Sequence, residues 1–205
     1  PWELSRRKSV SPHDGLGANL IVQVKQNRVM RVLPLENDEI NECWLADRDR
    51  FSYEALNSAE RLTQPKIKQG GQWVSTDWQT ALDYVAKGLQ GVIADHGADA
   101  VGVLATPHST VEELFLAKQL ATGLGVHSTD YRTRRADFSR DTAQAGALWL
   151  GGRIEDLAAA KAVLMIGANL RKEQPLLAAR LRQSVKKGTA LSVIGLANDA
   201  LLMSS

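Results

Sequence analysis

The sequence predicts an α/β fold preceded by a small β-rich unit. Three observations carry this expectation. Two runs rich in β-branched residues, 19–24 and 28–33, flank the short segment Lys25-Gln26-Asn27. From residue 78 onward, amphipathic stretches of helical period alternate with short apolar runs. The last alternation, 160–194, reads strand, helix, strand, the pattern of a parallel βαβ unit.

Taken in order, the first two strands are joined by a tight turn in which Asn27 tolerates positive φ, and Pro34 stops the second strand. The polar stretch 35–42 reads as a loop, and 44–56 as room for a short helix. Residues 65–73 form a candidate boundary, with Gly70-Gly71 as a turn. Thr76-Asp77-Trp78-Gln79 has the spacing of a capping box. Behind it, Trp78, Ala81, Leu82, Val85, Leu89, Val92 and Ile93 share one helical face, so a helix is expected over 78–95, closed by Gly97. A strand over 100–105 follows. Then Thr110 and Glu113 have capping-box spacing before a helix that carries Leu116, Leu120 and Leu124 on one side and ends at Gly125. Residues 126–131 suit a short strand, and 138–150 a helix or a long loop. A strongly apolar strand over 160–168, a helix over 174–187 with Gly188 just past its end, and a strand over 189–194 complete the pattern.

Composition excludes several classes. The net charge is +2, with 25 basic and 23 acidic residues, so no strong overall field is available to gather nucleic acid. Two local basic clusters, Arg6-Arg7-Lys8 and Arg132-Thr133-Arg134-Arg135, could meet phosphate or acidic surfaces, or simply be solvated loops. The single cysteine, Cys43, cannot form a disulfide within one chain. No apolar run approaches the length that spans a bilayer. The chain begins with Pro1 and ends on Leu-Leu-Met-Ser-Ser, which reads as an excised internal piece.

The segment from Ser11 through Asp14, Gly17 and Ala18, the β-ribbon behind it, and the stretch Asn41 to Tyr53 with Asp47-Arg48-Asp49-Arg50-Phe51 together resemble the N-terminal iron–sulfur module of the molybdopterin oxidoreductase superfamily. That module opens with C-x2-C-x3-C and closes with a fourth Cys before an acidic-basic-Gly-Arg-Phe stretch. On that pattern the four ligand positions are Ser11, Asp14, Ala18 and Ala46, and none is a thiol. Iron–sulfur clusters are held by thiolates, normally four. Together with Pro1-Trp2-Glu3-Leu4, Arg61-Leu62-Thr63-Gln64-Pro65 and Gly167 to Arg180, this degenerate frame is similar to the large iron–sulfur subunit family, of the mitochondrial 75 kDa type, in proton-pumping NADH:quinone oxidoreductases (respiratory complex I).

The resemblance implies two parts: a degenerate 4Fe-4S-type domain over 1–62, and an incomplete molybdopterin-oxidoreductase-like α/β domain with a mainly parallel sheet over 63–205. It implies no cofactor in this chain. The 2Fe-2S and 4Fe-4S clusters of such a subunit would lie in a domain preceding Pro1. The parent protein would pass electrons from NADH toward quinone in the respiratory chain. Its partners would be other peripheral-arm subunits, with no nucleic acid and no direct membrane insertion. Its place would be the cytoplasmic face of a bacterial inner membrane or the matrix side of a mitochondrial one. This chain would then be a redox-inert scaffold.

Other chemistry has less support in the sequence. The loop Gly167 to Asn169, followed by Glu173, sits after a parallel strand, where open α/β sheets bind ligands. In cofactor-bearing relatives a matching Gly-x-Asn and Glu-x-Pro help hold a molybdopterin dinucleotide, so these residues are vestigial nucleotide-loop candidates. They would otherwise serve only a tight turn. A catalytic molybdopterin enzyme of the formate dehydrogenase or nitrate reductase type would need a metal-binding Cys, selenocysteine or Ser in the α/β part, and Cys43 lies outside it. His13, His96, His108 and His127 lack metal-ligand spacing, and there is no Gly-x-Ser-x-Gly elbow, Walker loop or G-x-G-x-x-G. A binding module that recognises acidic partners through Arg132 to Arg135 is a third reading. Trp44, Trp73, Trp78 and Trp149 suit either packing between the two units or contact with a partner, and the sequence does not separate the two.

Overall fold

The computed structural model describes residues 2–132, 137, 139, 146, 149–195 and 200–205. The chain falls into two compact units, one made of Pro1–Arg61 with Ala147–Ser205, the other of Leu62–Gly146.

In the first unit, β1 (Ser5–Val10), β2 (Asn19–Lys25) and β3 (Arg28–Pro34) form an antiparallel sheet in that order. The β2–β3 turn places Gln26 and Asn27 at φ 50° and 59°, as the turn sequence predicted for Asn27. A register shift between Gln23 and Val24 bends the ribbon. The strand β1 escaped the sequence reading because Ser-Arg-Arg-Lys-Ser shows no apolar alternation, and all six of its residues are exposed. The short helix expected over 44–56 is α1 (Asp47–Phe51), which continues into a 3₁₀ turn, Ser52–Asn57. The Asn57 amide donates to the Val29 carbonyl at 3.0 Å and ties that turn to β3.

The same unit contains the expected βαβ element. β8 (Ala162–Ile166) and β9 (Ala190–Ile194) pair in parallel, and between them run α4 (Leu170–Glu173) and α5 (Pro175–Lys186). Proline at the first position of α5 suits a helix start. Gly188 follows its C-terminus at φ 109°, a conformation that favours glycine. Met165, Leu181, Leu191 and Leu201 form the core, with Val163, Val185 and Met203 against it. The other sheet face is bare: Leu164, Ile166 and Ile194 are exposed.

The second unit opens with the hairpin β4 (Lys66–Gln69) and β5 (Gln72–Ser75), turned at Gly70 and Gly71. Helix α2 (Trp78–His96) follows. Its cap is Asp77 rather than Thr76: the Asp77 carboxylate accepts from the Thr80 backbone at 2.9 Å and hydroxyl at 2.8 Å. These bonds hold its carboxyl below the usual range. β6 (Gly102–Leu104) and β7 (Ser128–Asp130) pair in parallel around α3 (Val111–Gly123). Thr110 and Glu113 make the predicted reciprocal capping box. Trp44, Trp73, Trp78 and Trp149 are 59–78% exposed.

Leu181 sits on the α5 face that meets β8 and β9. Leu181→Ala is expected to cost about 2–5 kcal/mol, through lost transfer energy and a residual cavity. Leu120→Ala, at an exposed position of α3, is expected to cost well under about 1 kcal/mol. Urea denaturation followed by circular dichroism checks both.

Candidate functional site

The four positions aligned with cluster ligands come together around the start of α1. The Ser11 backbone N–H donates to the Ala18 carbonyl at 2.8 Å, which closes the loop 11–18 on itself. Ala46 is the N-cap residue of α1 and has no side-chain group to offer; its carbonyl accepts from Arg50 at 3.0 Å. Ser11, Ala18 and Ala46 are all buried.

Two neighbouring residues of α1, which the sequence reading passed over, organise the site. Asp49 is fully buried, and its Oδ1 accepts from Ser11 Oγ at 2.6 Å and from His13 Nδ1 at 2.6 Å. The His13 backbone N–H donates to Ser11 Oγ at 3.2 Å. Arg48 donates to Asp14 Oδ2 at 2.8 Å, while Asp14 Oδ1 accepts from the Leu16 backbone at 3.0 Å. Ser11 and Asp14, the two polar residues of the aligned set, are therefore engaged by the Asp49 carboxylate and the Arg48 guanidinium. Arg48 Nε and Asp49 Oδ2 are buried and lack a hydrogen-bond partner among the described residues. The sequence did carry a signal: Asp49 stands where the iron–sulfur module has glycine.

This donor set does not fit a cubane. Alanine has no ligating atom, and the Ser11 hydroxyl spends its proton on Asp49. Nor is it a nucleophile triad. In that arrangement a histidine lies between the hydroxyl and the carboxylate, whereas here the carboxylate lies between, so His13 takes no proton from Ser11.

The same helix reaches the segment that contains Gly167, Asn169 and Glu173. Arg48 donates to the Lys172 carbonyl at 3.1 Å and to the Glu173 carbonyl. Asn169 accepts from the Lys172 backbone at 3.3 Å and caps α4. Gly167 has φ 63°, with open space where a Cβ would stand, so the turn explains the glycine. A second clamp lies nearby. The buried Arg180 of α5 donates to the Asp38 and Ile40 carbonyls at 2.8 and 3.2 Å and approaches Glu42 at 3.5 Å. Asn41 fixes the same loop: its side chain donates to the Leu35 and Trp44 carbonyls and accepts from the Asn19 backbone.

The remaining candidates lie apart. Cys43 is exposed. His96, His108 and His127 are exposed and join no metal-ligating group among the described residues. Of the second basic cluster, Arg132 lies 5.5 Å from the Tyr131 ring centre, and residues 133–136 fall outside those described, as do most of 138–148.

The geometry thus defines a small cluster-type module with no thiol at Ser11, Asp14, Ala18 or Ala46, joined to parallel α/β elements. The profile of the molybdopterin oxidoreductase family matches residues 61–203, and that of the NADH-ubiquinone oxidoreductase NDSU1/NuoG-like 4Fe-4S domain matches residues 4–54. The chain belongs to the molybdopterin oxidoreductase family. Among its relatives is the G subunit of the NADH-quinone oxidoreductase of Rickettsia felis, 37% identical over 92% of this chain. Two others are the 75 kDa subunit of NADH-ubiquinone oxidoreductase of Reclinomonas americana, 32% identical over 91%, and the mitochondrial 78 kDa subunit of Neurospora crassa, 30% identical over 95%. The chain spans 27%, 28% and 26% of these relatives' lengths. Acetylene hydratase from Pelobacter acetylenicus shares the fold, with a TM-score of 0.67 over 95% of this chain and 28% of its own, at 16% identity.

Removing Asp49 strands the buried Ser11 hydroxyl and takes the partner from the part-exposed His13 ring. Asp49→Ala is expected to cost about 1–3 kcal/mol. Cys43→Ala, an exposed change, is expected to stay within about 0.5 kcal/mol. Equilibrium unfolding of both variants against the parent chain checks this.

Proposed function

We propose that this chain is a structural part of the large iron–sulfur subunit of an NADH:quinone oxidoreductase, in which it holds neighbouring parts in place and carries no electrons itself. The observation that supports this most is the replacement of four ligand positions by Ser11, Asp14, Ala18 and Ala46, the two polar ones tied to Asp49 and Arg48. Relatives that bear the subunit's name match along more than nine-tenths of the chain. Residues 1–62 are the degenerate cluster-type domain, and 63–205 belong to the α/β domain. The subunit's 2Fe-2S and 4Fe-4S clusters lie in another domain of the same polypeptide, and the assembled enzyme transfers electrons from NADH to quinone.

Gly167 makes the turn and Asn169 caps α4, so no molybdopterin step is assigned to the loop with Gly167, Asn169 and Glu173. Among the described residues no helix is long and apolar enough to cross a membrane. In this reading the subunit sits peripherally, on the cytoplasmic face of a bacterial inner membrane or the matrix face of a mitochondrial one, and contacts other peripheral-arm subunits.

Assembly and turnover separate this reading from a catalytic one. In the full-length subunit, Arg48→Ala and Arg180→Ala should lower the amount of assembled complex severalfold, because each removes bonds between segments far apart in the chain. NADH:quinone activity per assembled complex should be unchanged. Normal assembly with lost turnover would instead assign these residues a role in the reaction.

A further inference from the structure

We propose that the outer edge of β1 is a docking strand for an extended, acidic segment of another protein chain. The inference rests on the docking part of the scaffold role proposed above and names the chemistry of one partner surface.

β1 lies at the margin of its sheet. It pairs with β2 at all six positions, Ser5↔Val24 through Val10↔Asn19, and among the described residues no strand pairs with its other side. Its six residues are all exposed. An edge of this kind presents alternate backbone N–H and C=O groups to any extended chain that can lie beside it.

The side chains then select the occupant. Arg6, Arg7 and Lys8 are consecutive, and strand alternation sends Arg7 to one sheet face and Arg6 and Lys8 to the other. Their cross-strand partners are Gln23, Val22 and Ile21, so no carboxylate stands opposite any of them. Two other cations of the sheet are already engaged: Lys25 pairs with Glu3, and Arg31 donates to Gln23. Among the described residues Arg6, Arg7 and Lys8 form no ion pair. Through the register Arg6↔Gln23↔Arg31, the Arg31 guanidinium adds charge to the same row as Arg6.

Positive charge on both faces of an edge deters a second copy of β1, because like charges would lie side by side. The same charge attracts a strand with two or three adjacent acidic residues, one for each face. Backbone hydrogen bonds would supply the affinity, and the charges would supply selectivity and a salt-sensitive association rate.

Two synthetic peptides test this with the whole chain. The probe is Thr-Val-Glu-Glu-Glu-Val-Thr, blocked at both ends. The control carries Pro at the central position and an added terminal Glu, which keeps the charge but removes a ladder donor. At about 150 mM salt the probe should shift and protect the backbone amides of residues 5–10, and the control should bind at least about tenfold more weakly. The triple change Arg6→Glu, Arg7→Glu and Lys8→Glu should weaken the probe at least about tenfold while the β2 and β3 amides keep their shifts. The single change Arg7→Gln should weaken it less and serves if the triple variant fails to fold. Equal binding of probe and control, equal binding by the charge variants, or no binding would overturn the proposal. If these arms fail while Arg48→Ala still lowers assembly, only the docking strand falls and the scaffold role stands.

Discussion

One buried carboxylate, Asp49, holds the N-terminal module together from inside. A cubane in such a module would tie the loop 11–18 to the residues around position 46 through four strong metal–sulfur bonds. With alanine at two of those positions, that tie must come from something else. Asp49 supplies it by accepting from both Ser11 and His13, and Arg48 adds a parallel tie to Asp14. The small side chains of Ala18 and Ala46 leave space that the surrounding chain fills, and both are buried. The module therefore keeps its shape with covalently ordinary parts. The cost is visible as well: Asp49 Oδ2 and Arg48 Nε are buried without a hydrogen-bond partner among the described residues.

From this network the order spreads to segments distant in sequence. Arg48 reaches the carbonyls at the end of α4, and Arg180 reaches back from α5 to the loop at 38–40. Each guanidinium meets backbone carbonyls as well as a carboxylate. Such contacts tolerate substitution of the partner side chains, but they demand a fixed backbone path. The ribbon, α1 and the βαβ element accordingly form one compact unit, although the Leu62–Gly146 stretch separates them along the chain.

The elements that could be read from the sequence are those whose local chemistry agrees with their place in the fold. β2 and β3 announce themselves by β-branched runs about a turn with Asn27, α3 by Thr110 and Glu113, and α5 by the helical pattern over 174–187 with Gly188 just past its end. At the four positions that the resemblance aligns with cluster ligands, the absence of thiols is legible in the sequence. What stayed hidden depends on neighbours far along the chain. β1 is cationic and becomes a strand only because β2 offers it a ladder. The α2 cap moved from Thr76 to Asp77 because Asp77 alone has an oxygen at the required offset from Thr80. Asp49 meets a serine 38 positions away, a pairing no local pattern encodes.

The most direct measurement is anaerobic reconstitution of this chain with iron and sulfide, followed by iron analysis and electron paramagnetic resonance. If Asp49 and Arg48 have taken over the structural task of a cluster, the desalted protein carries no stoichiometric iron, shows no cluster signal and unfolds at the same temperature with or without a strong chelator. About four irons per chain with a cubane spectrum would contradict the account.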